Sequence, residues 1–209
     1  MKNQDDHSWF NGRSSSGNTN SDKATAPLSP AHYRQGTARS AWSNRFILAA
    51  IVQGAVITGL TLAFVAAQML NSGINIIEFL SLSFEGPAKW IFLGHISYMI
   101  LVVAIGVTAV FYNHLEVGMG RQIKGFRSVL AWVHLAGMNV GGAATTIVMI
   151  FAGLAGSGVL GVILGGDSLQ PNATIMDQFV PLIAAFTGLL SVGVIAGGLA
   201  YITTYLQKS

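Results

Sequence analysis

The chain has 209 residues, of which 52% are apolar and 9% charged; its net charge is +3 and it has no cysteine. An ordinary soluble domain carries about 25% charged residues, so this excess of apolar over charged side chains points to a membrane and excludes disorder along the whole chain. The missing cysteines exclude a disulfide-stapled fold and a cysteine-ligated zinc or iron–sulfur site.

Residues 1–44 are polar, with a low-complexity stretch from Arg13 to Ser21 followed by Pro27 and Pro30. They read as a disordered cytoplasmic tail. The stretch near residue 1 lacks the apolar core of a secretory signal peptide. His7 and His32 are expected to be solvated tail residues. The basic residues form no long run, so nucleic acid is not an expected partner.

From Phe46 the character changes. Four apolar runs follow, Phe46–Leu70, Trp90–Tyr112, Val129–Leu164 and Phe179–Leu206. A helix that crosses a bilayer needs about 20 apolar residues. The expectation is therefore an all-α, polytopic membrane protein: a four-transmembrane-helix bundle over residues 45–209, with helices near 46–70, 90–113, 129–155 and 179–206. The third run is too long for one span. At about 1.5 Å per residue it would reach roughly 54 Å, against a hydrocarbon core of about 30 Å. Glycines gather in its second half, so the helix is expected to end near Gly156. The stretch 156–166 would then be an apolar loop or re-entrant segment folded onto the protein.

Charge gives the orientation. Of the Lys and Arg near the apolar runs, Arg34, Arg39, Arg45, Arg121, Lys124, Arg127 and Lys208 fall on one side and Lys89 on the other, a ratio of seven to one. Glu116 is the acid that opposes the loop between helices two and three. The positive-inside rule puts both termini in the cytoplasm of a multi-pass protein of the cell membrane. Asn172-Ala173-Thr174 would be external, in the form of a glycosylation acceptor that matters only in a secretory pathway. Trp42, Trp90, Trp132, Tyr112 and Tyr201 fall near predicted helix ends, as an aromatic belt requires. Gly137/Gly141 and Gly193/Gly197 have the spacing that lets helices approach closely in lipid.

His95 lies about six residues into the second helix, near the outer leaflet. An ionisable side chain within a span is a functional candidate, and imidazole is a common haem-iron ligand. The bland alternative is a hydrogen bond to a neighbouring helix, through Gln53 or Thr187. His114 and His134 lie close to headgroup level, where they need no special partner. Asp and Glu are absent from the spans, which weakens a carboxylate proton relay.

Gly94-His95-Ile96-Ser97-Tyr98 resembles the Gly-His-x-His-Tyr signature of the catalytic subunit of haem–copper oxidases. Gly120-Arg121, Trp132 through Gly137-Met138-Asn139, and Gly153-Leu154-Ala155-Gly156 continue the likeness over residues 46–206, the family's last four helices. The resemblance implies that His95 ligates a haem iron. Ser97 stands where the family has its second histidine, and the helices with the copper ligands have no counterpart. The resemblance thus implies no complete haem–copper centre in this chain alone, but either one piece of a split or degenerate oxidase-like complex or a descendant that kept only the fold. Gln53-Gly54 and Gly59-Leu60-Thr61 are similar to haem A synthase-type oxidase assembly proteins, though helix four lacks that family's histidine.

Three functions follow as expectations. One is a subunit of a respiratory, oxidase-like membrane complex with one haem on His95, in contact with lipid and other membrane subunits. Another is an accessory or assembly subunit without a cofactor. The third, a small channel or transporter, is weakened by the absence of charge in the apolar runs. Whether the chain is an enzyme is left open.

Overall fold

The computed structural model describes residues 40–70, 86–164, 172 and 174–207. Most of the expected tail lies outside the described residues, with His7, His32, Arg34 and Arg39; so do Asp167 and Lys208. The described residues hold helix and no strand. In a bilayer this follows directly, because a helix satisfies its backbone N–H and C=O groups within its own segment.

Helix α1 is Ala41–Leu70, α2 is Ala88–Asn113, and α3 runs from Phe126 to Gly156. Two short helices follow, α4 (Val159–Ile163) and α5 (Thr174–Asp177), and then α6 (Val180–Tyr205). Four helices are long and apolar enough to span a membrane, namely α1, α2 with its extension to Gly118, α3 and α6. The chain is a membrane protein with four candidate spans.

The first helix begins five residues earlier than its apolar run. Ser40 is the reason: its hydroxyl accepts the Ser43 backbone N–H at 3.1 Å, a cap on the helix start. Glu116 reaches across from the turn after α2, accepting hydrogen bonds from the Ser40 hydroxyl and, at 3.1 Å, from the Trp42 N–H. Ala41–Asn44, expected in the tail, are therefore helical, and Trp42 and Ser43 are buried.

The end of α3 is where the glycines placed it. Gly158 has φ +79°, a left-handed residue that stops the helix, and α4 begins immediately after it. The α4 residue Val159 is buried beside Ile91, Ile150 and Leu154, with Leu60 and Phe64 packed against the same cluster. Val159 and Leu160 thus pack back onto the bundle, whereas Leu164 is exposed and residues 165–166 of the expected re-entrant stretch lie outside the described residues. The Asn172 N–H returns to the Gly156 carbonyl at 2.8 Å.

Helix α2 packs along α1 on one side and the second half of α3 on the other. Helix α6 packs along the first half of α3. Glycines set both α3 contacts. A Cβ on Gly94 would lie 2.8 Å from the Thr146 carbonyl oxygen, and one on Gly153 would lie 2.8 Å from the Ile91 nitrogen. At the α3–α6 crossing, a Cβ on Gly137 would lie 2.5 Å from Gly193 Cα, and one on Gly141 would lie 2.5 Å from the Leu190 nitrogen. The two expected glycine pairs therefore face each other's helices inside one chain. They hold the bundle together and are not a free face for a partner subunit.

The start of α1, the end of α2, the start of α3 and the end of α6 share one end of the bundle. The Ser40–Glu116 bond establishes part of this, and a 2.5 Å bond from the Arg127 guanidinium to Gln207 establishes the rest. Arg45, Arg121, Lys124 and Arg127 gather there. The aromatic expectation needs one correction: Trp42 and Tyr112 are 3% and 2% exposed, so they fill the core at that end and do not form a lipid-facing belt. Trp132 is exposed.

Candidate functional site

Three histidines are described, in three different settings. His95 is half-buried on α2. Its neighbours one turn away divide by face: Ile91 and Tyr98 are buried, whereas Met99 is exposed. The imidazole therefore lies at the border between the bundle interior and the outer, apolar face of α2. Among the described residues no hydrogen bond or ring contact engages it. The two partners considered from sequence are used elsewhere. Gln53 bonds to Tyr98 and Asn139, and the Thr187 hydroxyl lies 3.5 Å from that of Thr145.

The Gln53 contacts form a polar knot between three spans. Tyr98 on α2 donates its hydroxyl to Gln53 Oε1 on α1. Gln53 Nε2 donates to Asn139 Oδ1 at 3.1 Å, and Asn139 Nδ2 donates to the Leu135 carbonyl at 2.8 Å. Asn139 sits in a π-helical segment, Gly137–Gly142, within α3. Such widened turns interrupt the i→i−4 ladder. Here the Asn139 amide returns to the carbonyl four residues back, where the register changes. Tyr98 is fully buried. Each polar group is satisfied, which is what a low-dielectric interior requires. Sequence reading missed the knot because no local pattern pairs a glutamine with a tyrosine 45 residues away.

His134 was expected to be an interfacial residue with no special partner. It is instead 8% exposed and packed on three sides. The Tyr112 hydroxyl is 3.3 Å from Nδ1, and the Phe46 ring centroid is 5.2 Å away. Phe46 in turn stacks on Tyr112 at 4.9 Å. Gly197 of α6 closes the other side. The signal in the sequence was Gly197 itself: a small residue on one helix makes room for a ring on the next. His134 and Tyr112 also border a groove of 450 Å³ that runs toward α6 past Thr108, Phe111 and Tyr201. His114 is exposed in the π-turn His114–Gly118.

His95 and His134 are thus not brought together. His95 is near the start of α2, whereas His134 bonds to Tyr112 near its end. The described residues hold no group of three or more His, Cys, Asp or Glu side chains suited to a metal ion. A haem iron needs no such group, since one protein imidazole is enough to anchor it. His95 fits that role by its donor chemistry. Its second ring nitrogen, however, finds no acceptor among the described residues. No family model, curated protein or solved structure matches the chain.

Proposed function

We propose that the chain is an integral membrane subunit of an oxidase-like respiratory complex, and that His95 is an axial ligand of one haem. The observation that carries this reading is that the half-buried imidazole of His95, on an apolar span, has no partner among the described residues. A neutral ring nitrogen at that depth is costly unless something binds it. The likeness of Gly94-His95-Ile96-Ser97-Tyr98 to the haem-ligating signature supports the choice of ligand.

His95 would hold the iron through one ring nitrogen and orient it by the fixed direction of α2. When bound, a haem supplies one-electron chemistry. This chain's own part is to anchor it, keep it away from water, and leave the rest of the enclosure to a neighbour. The exposed Met99 beside His95 supports such a neighbour, because a planar group there would lie on the outer face of the bundle. Another subunit would cover it and supply both the acceptor for the second ring nitrogen and any second axial ligand.

The orientation belongs to the same reading. The seven-to-one distribution of Lys and Arg supports cytoplasmic termini in the cell membrane. His95 then lies toward the outer leaflet.

An accessory subunit without cofactor is the second reading. It is favoured by the polar knot and the His134 cluster, which use the other polar side chains of the spans in packing. One experiment separates the two: an oxidised and dithionite-reduced absorbance spectrum of the protein purified with its native membrane partners. A Soret band lost in His95→Ala supports ligation, and its absence from the wild type favours the accessory role.

A further inference from the structure

We propose that the pocket at the basic end of the bundle binds the phosphate headgroup of an anionic phospholipid. The inference goes beyond the haem reading and does not depend on it. The cavity has a volume of 530 Å³ and is lined by Trp42, Arg45, Glu116, Arg121, Lys124 and Ser128. Three cations thus face one carboxylate. That carboxylate is already engaged, because Glu116 Oε2 accepts from the Ser40 hydroxyl and the Trp42 N–H. None of the three cations is ion-paired among the described residues.

Arg45 is placed by the rings beside it. Its guanidinium carbon lies 4.5 Å from the Trp42 centroid and 4.9 Å from that of Trp132. Cation–π contact fixes the side chain without cancelling its charge. The loop with Arg121 is held in turn by a 2.9 Å bond from the Arg121 N–H to the Leu115 carbonyl. With three cations and one carboxylate the described lining keeps a net positive charge, and on fixed backbone it is suited to a phosphate, which accepts several charge-assisted hydrogen bonds at once.

The position of the cavity selects a lipid over a soluble anion. It lies where the spans end, and exposed apolar side chains stand close to its lining: Leu48 one turn from Arg45 on α1, Phe126 two residues from both Lys124 and Ser128, and Trp132 against the Arg45 guanidinium. A phosphate held by Arg121 and Lys124 leaves the acyl chains free to lie along those side chains. A free phosphate has no use for that surface.

The test uses the full chain in nanodiscs of phosphatidylcholine containing a minor share of phosphatidylglycerol. Lipids that stay bound on release are identified by native mass spectrometry. The wild type is expected to retain phosphatidylglycerol in preference to phosphatidylcholine. The preference should fall about fivefold for each cation removed in Arg121→Ser and Lys124→Ser, the usual effect of one basic residue at an anionic surface. Arg127→Ser should keep it, because Arg127 donates to Gln207 and is not part of the lining. No preference in the wild type, or an undiminished one in the double variant, overturns the proposal. Displacement of the lipid by millimolar inorganic phosphate also overturns it, by assigning the pocket to a soluble anion. If the double variant does not fold, the wild-type preference and the phosphate competition still decide.

Discussion

His134 occupies the space where Gly197 has no side chain: a Cβ built on Gly197 would lie 2.2 Å from His134 Nδ1 and 2.4 Å from its Cε1. The two residues belong to different spans, so the imidazole acts as a peg in the bare backbone of α6. Phe46 and Tyr112 pack against the same ring. A Cβ on Gly197 would have to push the ring toward the groove that it borders with Tyr112, and the backbone of α6 cannot move outward without losing the Gly137–Gly193 crossing.

Gly197→Ala should therefore destabilise the bundle by about 1–3 kcal/mol, the range for overpacking a packed contact. The neighbouring Gly198→Ala should leave stability nearly unchanged, because a Cβ there meets nothing within 4 Å. Thermal unfolding in mild detergent, followed by circular dichroism, compares the two directly. Equal midpoints for the two variants would contradict the peg.

Tyr98→Phe should cost about 0.6–2 kcal/mol, the measured range for hydrogen bonds between membrane helices. It leaves Gln53 Oε1 without its donor. In a double-mutant cycle, Gln53→Leu combined with Tyr98→Phe should cost less than the sum of the two single changes, because both remove one bond. Full additivity would mean that the Tyr98–Gln53 bond contributes nothing.

Glu116→Ala should loosen the first turn of α1 by about 1 kcal/mol, as the loss of a helix cap does. Hydrogen exchange at residues 41–46 is the readout. Glu116→Gln keeps an acceptor oxygen for the Trp42 N–H and should recover much of the protection. Faster exchange confined to other parts of the chain would contradict the cap.

A cysteine at Gln122 or Gln207 should be labelled only from the cytoplasmic side, and one at Asn172 only from outside. The chain has no native cysteine to interfere. Labelling of Asn172→Cys from the cytoplasm would reverse the orientation.

Much of the fold was legible in the sequence because membrane spans are declared by composition. The absence of Asp, Glu, Lys and Arg from Val129–Leu164 marked a span, and Gly156 and Gly158 marked where it stops. The start of α1 was not legible. It rests on Glu116 reaching Ser40, a contact between residues 76 positions apart. The same holds for the interior. His95 could be picked out as an ionisable side chain within a span, but that it has no partner among the described residues is a tertiary property. The burial of His134 depends on Phe46, Tyr112 and Gly197, three residues from three helices, and each is ordinary in its own local sequence. The glycine spacing was legible as close packing, yet only the fold assigns that packing to α3 against α6.

The central claim is tested most directly by the reduced-minus-oxidised absorbance spectrum of wild type and His95→Ala, each purified with its native membrane partners. The account predicts a Soret band in the wild type. That band should be lost in His95→Ala and kept in His114→Ala, whose imidazole is exposed in the turn after α2. His134→Ala should keep it as well, at reduced thermal stability. A wild type without haem absorbance, or a full spectrum in His95→Ala, would contradict the ligand assignment.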